Sequence, residues 1–169
     1  MTGLSLRHVA EEMDVALSTL TYVYPTVTSL LDDMVLDHRQ WWRDHVATIV
    51  AGRGLEAELA AVTTDFLHEV LLTPERMAVA EYQVMRVFKE DGTHTSLQMG
   101  YLVDLIAERS GEEYALSRRV LANAMAASLN GILLFFTESK DLEMTRELFD
   151  VTVKATVHVA KPRRVDVSA

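Results

Sequence analysis

The sequence predicts an all-α protein, and three observations carry that prediction. Only seven of 169 residues are glycine and three are proline, and the breakers fall at intervals of roughly twenty residues, room for one helix and its turn. Leu, Ala, Glu, Met and Arg, which favour helices, fill each interval. Within the intervals apolar side chains recur every three or four positions, the period of one helix face.

The elements follow in order. A first short helix is expected over about residues 5–13, with Leu6, Val9, Ala10 and Met13 on one face. Asp14 and Val15 make a turn, and a second short helix covers about 16–24, ahead of Pro25. A long helix follows over about 26–50, its apolar stripe formed by Val27, Leu31, Met34, Trp41 and Ile49, with His38 and His45 on the same stripe. After the turn AGRG, a helix over about 55–72 buries Leu55, Leu59, Val62, Phe66 and Val70. Ala57, Ala61 and Thr64 make its other side nearly apolar, so cover on two sides is expected.

Pro74 suits the first turn of the next helix, which runs to about Lys89 with Met77, Val84, Met85 and Phe88 inward and Glu81 among them. Another helix, about 94–109, points Gln98, Leu102, Leu105 and Ile106 one way. The last two, about 113–138 and 141–160, are the least polar, and no charge occurs between Val120 and Phe136. A helix that is apolar all round must be covered all round. It either lies central in the domain or meets a second subunit, and the pairing of two such helices near the C-terminus favours the subunit. The tail PRRVDVSA is expected to fray.

Composition limits the function classes. Hydrophobic residues make up 49% of the chain, enough for one domain with a real core. The absence of cysteine excludes disulfides, thiolate zinc sites and cysteine nucleophiles. The opening MTGLSLRHVAEE carries charge early and no apolar run, so neither a signal peptide nor a membrane span is expected, and the protein is read as cytoplasmic. A net charge of −9 argues against unspecific adhesion to nucleic acid or anionic membrane.

Two short helices joined by a tight turn and followed by a long helix suggest a helix-turn-helix with a connector. Read residue by residue, LSLRHVAEEMDVALSTLTYVYPTVTSLLDDMV resembles the corresponding segment of the TetR family of transcriptional regulators. Leu6, Val9, Ala10 and Met13 match the first motif helix, Val15 the buried turn residue, Thr19 and Leu20 the centre of the recognition helix, Tyr24 its aromatic end, and Leu30 and Leu31 the connector. The match covers about the first 35 residues.

The resemblance implies a DNA-reading head and connector in residues 1–45 and a ligand-binding and dimerisation domain in 46–169. It implies a ligand-responsive regulator, in most members a repressor, that dimerises through its last two helices and is released from operator DNA by a small apolar effector. DNA contacts then fall to Arg7, His8, Leu17, Ser18, Thr19, Thr21 and Tyr22, and the dimer interface to Asn123, Ala127, Asn130, Leu134, Phe149 and Val153. Asn123 and Asn130 can equally line the effector pocket. No cofactor is implied.

The departures bear on DNA binding. Asp14 stands where the family has Gly, Ala16 where it has the capping Ser, Thr21 for a Tyr, and Val27 for a phosphate-contacting Lys. Family members also carry a further basic helix ahead of the motif, which here begins near residue 5. Residues 1–45 hold three basic and seven acidic side chains, a net −4. Phosphate contacts supply most non-specific affinity, so weak DNA binding is expected. Either a helix encoded upstream completes the head, or the chain persists as a dimeric small-molecule-binding module without DNA activity.

For the effector, Trp41, Trp42, Phe66, Tyr82, Met85, Phe88 and Met99 offer large adaptable surfaces, and His38, His45 and Glu81 are the polar groups on apolar stripes. Plain core is the alternative for each large residue, and an internal His–Glu pair the alternative for the polar ones. His38 and His45 are two turns apart, too far for a zinc-binding helix pair, so no metal is expected. No GxSxG elbow, phosphate-binding glycine loop or HExxH occurs, and no enzyme is expected.

Overall fold

A computed structural model describes residues 5–87 and 94–161. Its regular elements are α1 (Leu6–Glu12), α2 (Leu17–Val23), α3 (Val27–Ile49), α4 (Leu55–Phe66), α5 (Pro74–Val87), α6 (His94–Ser110), α7 (Arg118–Ser139) and α8 (Leu142–Ala160). A single π-helical turn, Leu67–Leu71, prolongs α4, so the helix expected to run uniformly to residue 72 changes winding at Phe66. The described residues contain no strand.

Local chemistry sets most boundaries. Ser5 accepts a hydrogen bond from the His8 amide and caps α1, and Asp14 turns the chain in the left-handed region, φ 52°. Ala16 begins α2 without a side-chain cap, as its methyl group requires. Thr26 and Ser29 form a reciprocal capping box on α3. Ser117 caps α7, so that helix starts at 118 rather than 113; residues 113–117 form an irregular link in which the Ala115 amide bonds to the Ala160 carbonyl.

In the C-terminal part α7 packs against α5, α6 and α8, while α3 and α4 close the remaining sides. The α7 residues Leu121, Met125, Ile132, Leu133 and Phe136 are buried, but Val120, Ala124, Ala127 and Gly131 are exposed. One face is therefore covered and one open. Contrary to the expectation that no such stretch exists, α7 is long and apolar enough by length and composition to cross a membrane, with a mean hydropathy of 1.6. It packs against three other helices along its covered face, and 44% of the apolar window is buried.

The buried stripe of α3 is Val35, Trp42 and Val46, one residue on from the expected one. Met34 is exposed, and Trp41 and Ile49 are half-buried. Both stripes are apolar in sequence, and contacts with α4, α5 and α6 decide between them. On α4 the expected face is buried, but Ala57 and Thr64 are exposed, so only one side is covered. The proposed division at residues 45 and 46 falls inside α3, which runs through it unbroken.

The turn after α3 is held by charge. Glu58 is fully buried on α4 and accepts from the backbone amides of Ala51 and Arg53, both at 2.8 Å, and from the Arg53 guanidinium at 2.8 Å. These bonds hold its carboxyl down to about 2, against the opposing effect of burial. Arg109 of α6 donates to the carbonyls of Ala47 and Val50. Gly52, at φ 83°, lies so close to the Arg109 carbonyl that a Cβ would sit 2.8 Å from its oxygen, which makes glycine necessary there.

Candidate functional site

The interior contains an apolar cavity of about 40 Å³ walled by five helices. Trp42 comes from α3, Phe66 and Thr63 from α4, Met99 from α6, Met125 and Leu129 from α7, and Phe149, Val153 and Thr156 from α8. The rings are ordered edge to face: Trp42 and Phe66 are 5.2 Å apart at 87°, and Phe66 and Phe149 are 6.0 Å apart at 73°. That arrangement satisfies the ring quadrupoles. The Thr63 hydroxyl donates to the Leu59 carbonyl and keeps lone pairs to accept a further bond. A cavity this small lies well below the volume of a drug-sized ligand site. Any such ligand must displace side chains, for which Met99 and Met125 are suited by their flexibility.

Of the ten residues expected at the effector site, the fold brings Trp42, Phe66 and Met99 together. Met85 is 53% exposed, because α5 turns Met77, Ala80 and Val84 inward and the next position points out. Tyr82 is half-buried and does not line the cavity. Phe88 lies outside the described residues. Glu81 accepts from the Thr137 hydroxyl at 3.1 Å and lies 3.6 Å from the Lys140 ammonium. It therefore joins α5 to the end of α7; among the described residues the internal pairing expected for these polar groups is made with other partners, Glu81 with Thr137 and Lys140 and His45 with Asp65.

His38, Trp41 and His45 form a second cluster on the half-buried stripe of α3. His45 Nε2 lies 2.7 Å from Asp65 Oδ2, and its ring stacks on Trp41 at 5.0 Å. His38 lies 5.5 Å from Trp41. Burial, with Arg76 and Arg39 nearby, lowers its pKa to about 4. These side chains clamp α3 to α4 and α5 and do not line the cavity. Among the described residues no three His, Asp or Glu side chains are placed to hold a metal.

At the other end of the chain, α2 buries only Leu20. Leu17, Ser18, Thr19, Thr21 and Tyr22 are exposed, Tyr22 by 90%, as are Arg7 and His8 on α1. The Thr21 hydroxyl is engaged with the carbonyls of Leu17 and Ser18. Tyr24 donates to Asp33 Oδ2 at 2.8 Å and joins the end of α2 to α3.

The residues expected at a dimer interface divide. Asn123 and Ala127 are exposed and Leu134 half-buried on the open face of α7. Asn130 is buried, with its Oδ1 lacking a partner among the described residues. Phe149 and Val153 face inward and wall the cavity. On α8 the open apolar positions are instead Met144, Val151 and Val159, about half a turn or more from Phe149 and Val153. Both faces of α8 are apolar in sequence, so spacing alone does not separate them.

Glu58, Arg53 and Arg109 were not anticipated. Glu58 was detectable, since a carboxylate stands three residues from Leu55 and four from Val62 on a buried stripe and demands a cationic or amide partner. Comparison with protein-family models and with curated proteins finds no match to this chain.

Proposed function

We propose that this chain is a TetR-like, ligand-responsive regulator of transcription, a homodimer whose α1–α2 unit reads DNA and whose cavity takes a small apolar effector. One observation carries the reading. The helix α3 bears Asp33, bonded to Tyr24 at the end of α2, and nine residues later Trp42, which walls the cavity. That is about 13 Å along one rigid helix. An effector that displaces Trp42 therefore moves the element tied to the α1–α2 unit, and in a dimer such a movement changes the separation of two heads.

Two further features support the reading. Tyr22, Ser18 and Thr19 stand on the solvent side of a short helix, where a macromolecular partner can reach them. The open faces of α7 and α8 present Val120, Ala124, Ala127, Met144, Val151 and Val159. Their spacings of three, four, seven and eight residues keep them on one side of each helix, and a second copy of the chain would cover it.

A second reading is a dimeric small-molecule-binding module without DNA activity, favoured by the net −4 of residues 1–45 and the lack of a basic side chain on α2. Selection from a pool of random DNA duplexes at low salt separates the two. Enrichment of a sequence with two half-sites supports the regulator. No enrichment, with the neutral probe N-phenyl-1-naphthylamine still quenching or shifting tryptophan emission, supports the module. Failure of the probe to enter would overturn both readings.

A further inference from the structure

A surface groove of about 380 Å³ runs between α4, with its π-helical turn, and α8. It shares three lining residues with the interior cavity: Thr63, Phe149 and Val153. The two spaces therefore adjoin at these side chains, of which Phe149 is the largest. On the groove side of that border stand His68, Arg146 and Asp150. Asp150 is held by Lys154 at 2.5 Å. Neither Arg146 nor His68 has an ion pair or side-chain hydrogen bond among the described residues.

The groove thus runs from the apolar cavity to a mouth where Arg146 stands without an ion pair among the described residues and Asp150 is paired with Lys154. On the helical wheel of α8, Arg146 lies roughly opposite Val151 and Ala155, so a second copy covering the open apolar face would leave its guanidinium free. The π-helical turn at Leu67–Leu71 places His68 at the rim, and such turns occur often at functional sites.

From this geometry we infer that the groove is the access route to the cavity and that the ligand is a single-chain carboxylate amphiphile. Its carboxylate is held at the mouth by the Arg146 guanidinium, with His68 beside it, and its hydrocarbon tail passes between Thr63 and Val153 as Phe149 turns aside. Arginine suits this role because its fork of donors matches a carboxylate. The inference rests on the cavity being the effector site, and it adds the chemical class of the effector and the side of the bundle by which it arrives.

Titration of the full chain with dodecanoate and with dodecanol, each displacing N-phenyl-1-naphthylamine, tests it. Dodecanoate is expected to displace the probe at a concentration at least about tenfold lower than dodecanol, a margin typical of one charge-assisted contact. In Arg146→Gln, an exposed position whose change leaves the fold intact, the margin should vanish while the neutral probe binds as before. Thr64→Trp, also exposed and in the groove wall, should slow entry of both ligands. Equal displacement by acid and alcohol, or a preference for the acid that survives Arg146→Gln, overturns the inference while leaving the cavity reading intact. Failure of the probe itself to bind overturns the cavity reading, and this inference with it.

Discussion

The guanidinium of Arg76 lies over the indole of Trp41, 3.9 Å from the ring centroid, and donates at the same time to the Glu69 carboxylate at 2.5 Å and the Glu69 carbonyl at 3.0 Å. One side chain of α5 thereby locks the outer stripe of α3 and the π-helical turn together. Trp41 is sequence neighbour to Trp42 in the cavity wall, so this clasp holds the helix that runs from the cavity to the α1–α2 unit.

Removing the clasp should loosen α3 without unfolding the bundle. Arg76→Ala is expected to lower stability by about 1–2 kcal/mol, the sum of a partly buried cation–π contact and a half-exposed ion pair. Arg76→Lys should recover only part of it, because an ammonium cannot cover the ring and reach two oxygens together. Urea unfolding followed by tryptophan emission measures both; no change in either variant would show that the contact contributes nothing net.

His38 makes stability fall in mild acid. Its pKa is about 4 in the folded chain and about 6.5 when unfolded. Above pH 6.5 both states are neutral and the residue has no effect. As pH falls from 6.5 to 4 the unfolded chain takes up a proton that the folded chain refuses, and stability is lost through that window. His38→Phe keeps the ring beside Trp41 and cannot titrate. Its loss between pH 6.5 and 4 should be smaller than that of the parent by on the order of 2 kcal/mol, and identical slopes would contradict the assignment.

Glu58 should be the most sensitive polar position in the fold. Glu58→Leu leaves the Ala51 and Arg53 amides unpaired beside a guanidinium, at a cost of about 3 kcal/mol. Glu58→Gln keeps an acceptor for the amides and should cost about half as much. Because its folded pKa is depressed to about 2, its contribution is fully present above about pH 4.5 and is lost as pH falls from there to 2. A Glu58→Gln protein with the parent's acid sensitivity in that range would count against the account.

Gly131 offers a clean test of the second copy. Within one chain a Cβ at this position meets nothing within 4 Å. Gly131→Glu should therefore leave the monomer fold intact, and even favour the helix by up to about 1 kcal/mol. At a helical seam it would place charges between close backbones. Light scattering after gel filtration should show the parent at twice the chain mass and Gly131→Glu at the single-chain mass. A parent that already elutes at the single-chain mass would refute the interface.

The sequence by itself determined the helices and nearly all their ends, because breakers, caps and a period of three to four residues act over a few positions. The turn at Asp14 and Val15 and the stripe of Leu55, Leu59, Val62 and Phe66 were legible in this way. Tertiary structure decided which of two apolar stripes of α3 turns inward, why Met85 faces solvent, and that Phe149 and Val153 wall a cavity while Val151 and Val159 stay open. Where a helix is apolar on several sides its period no longer selects one face, and only the volumes of the neighbouring helices do so. The Glu58 and Arg76 clasps were likewise decided in three dimensions, since their partners are chosen by where the chain turns and by which long side chain can reach.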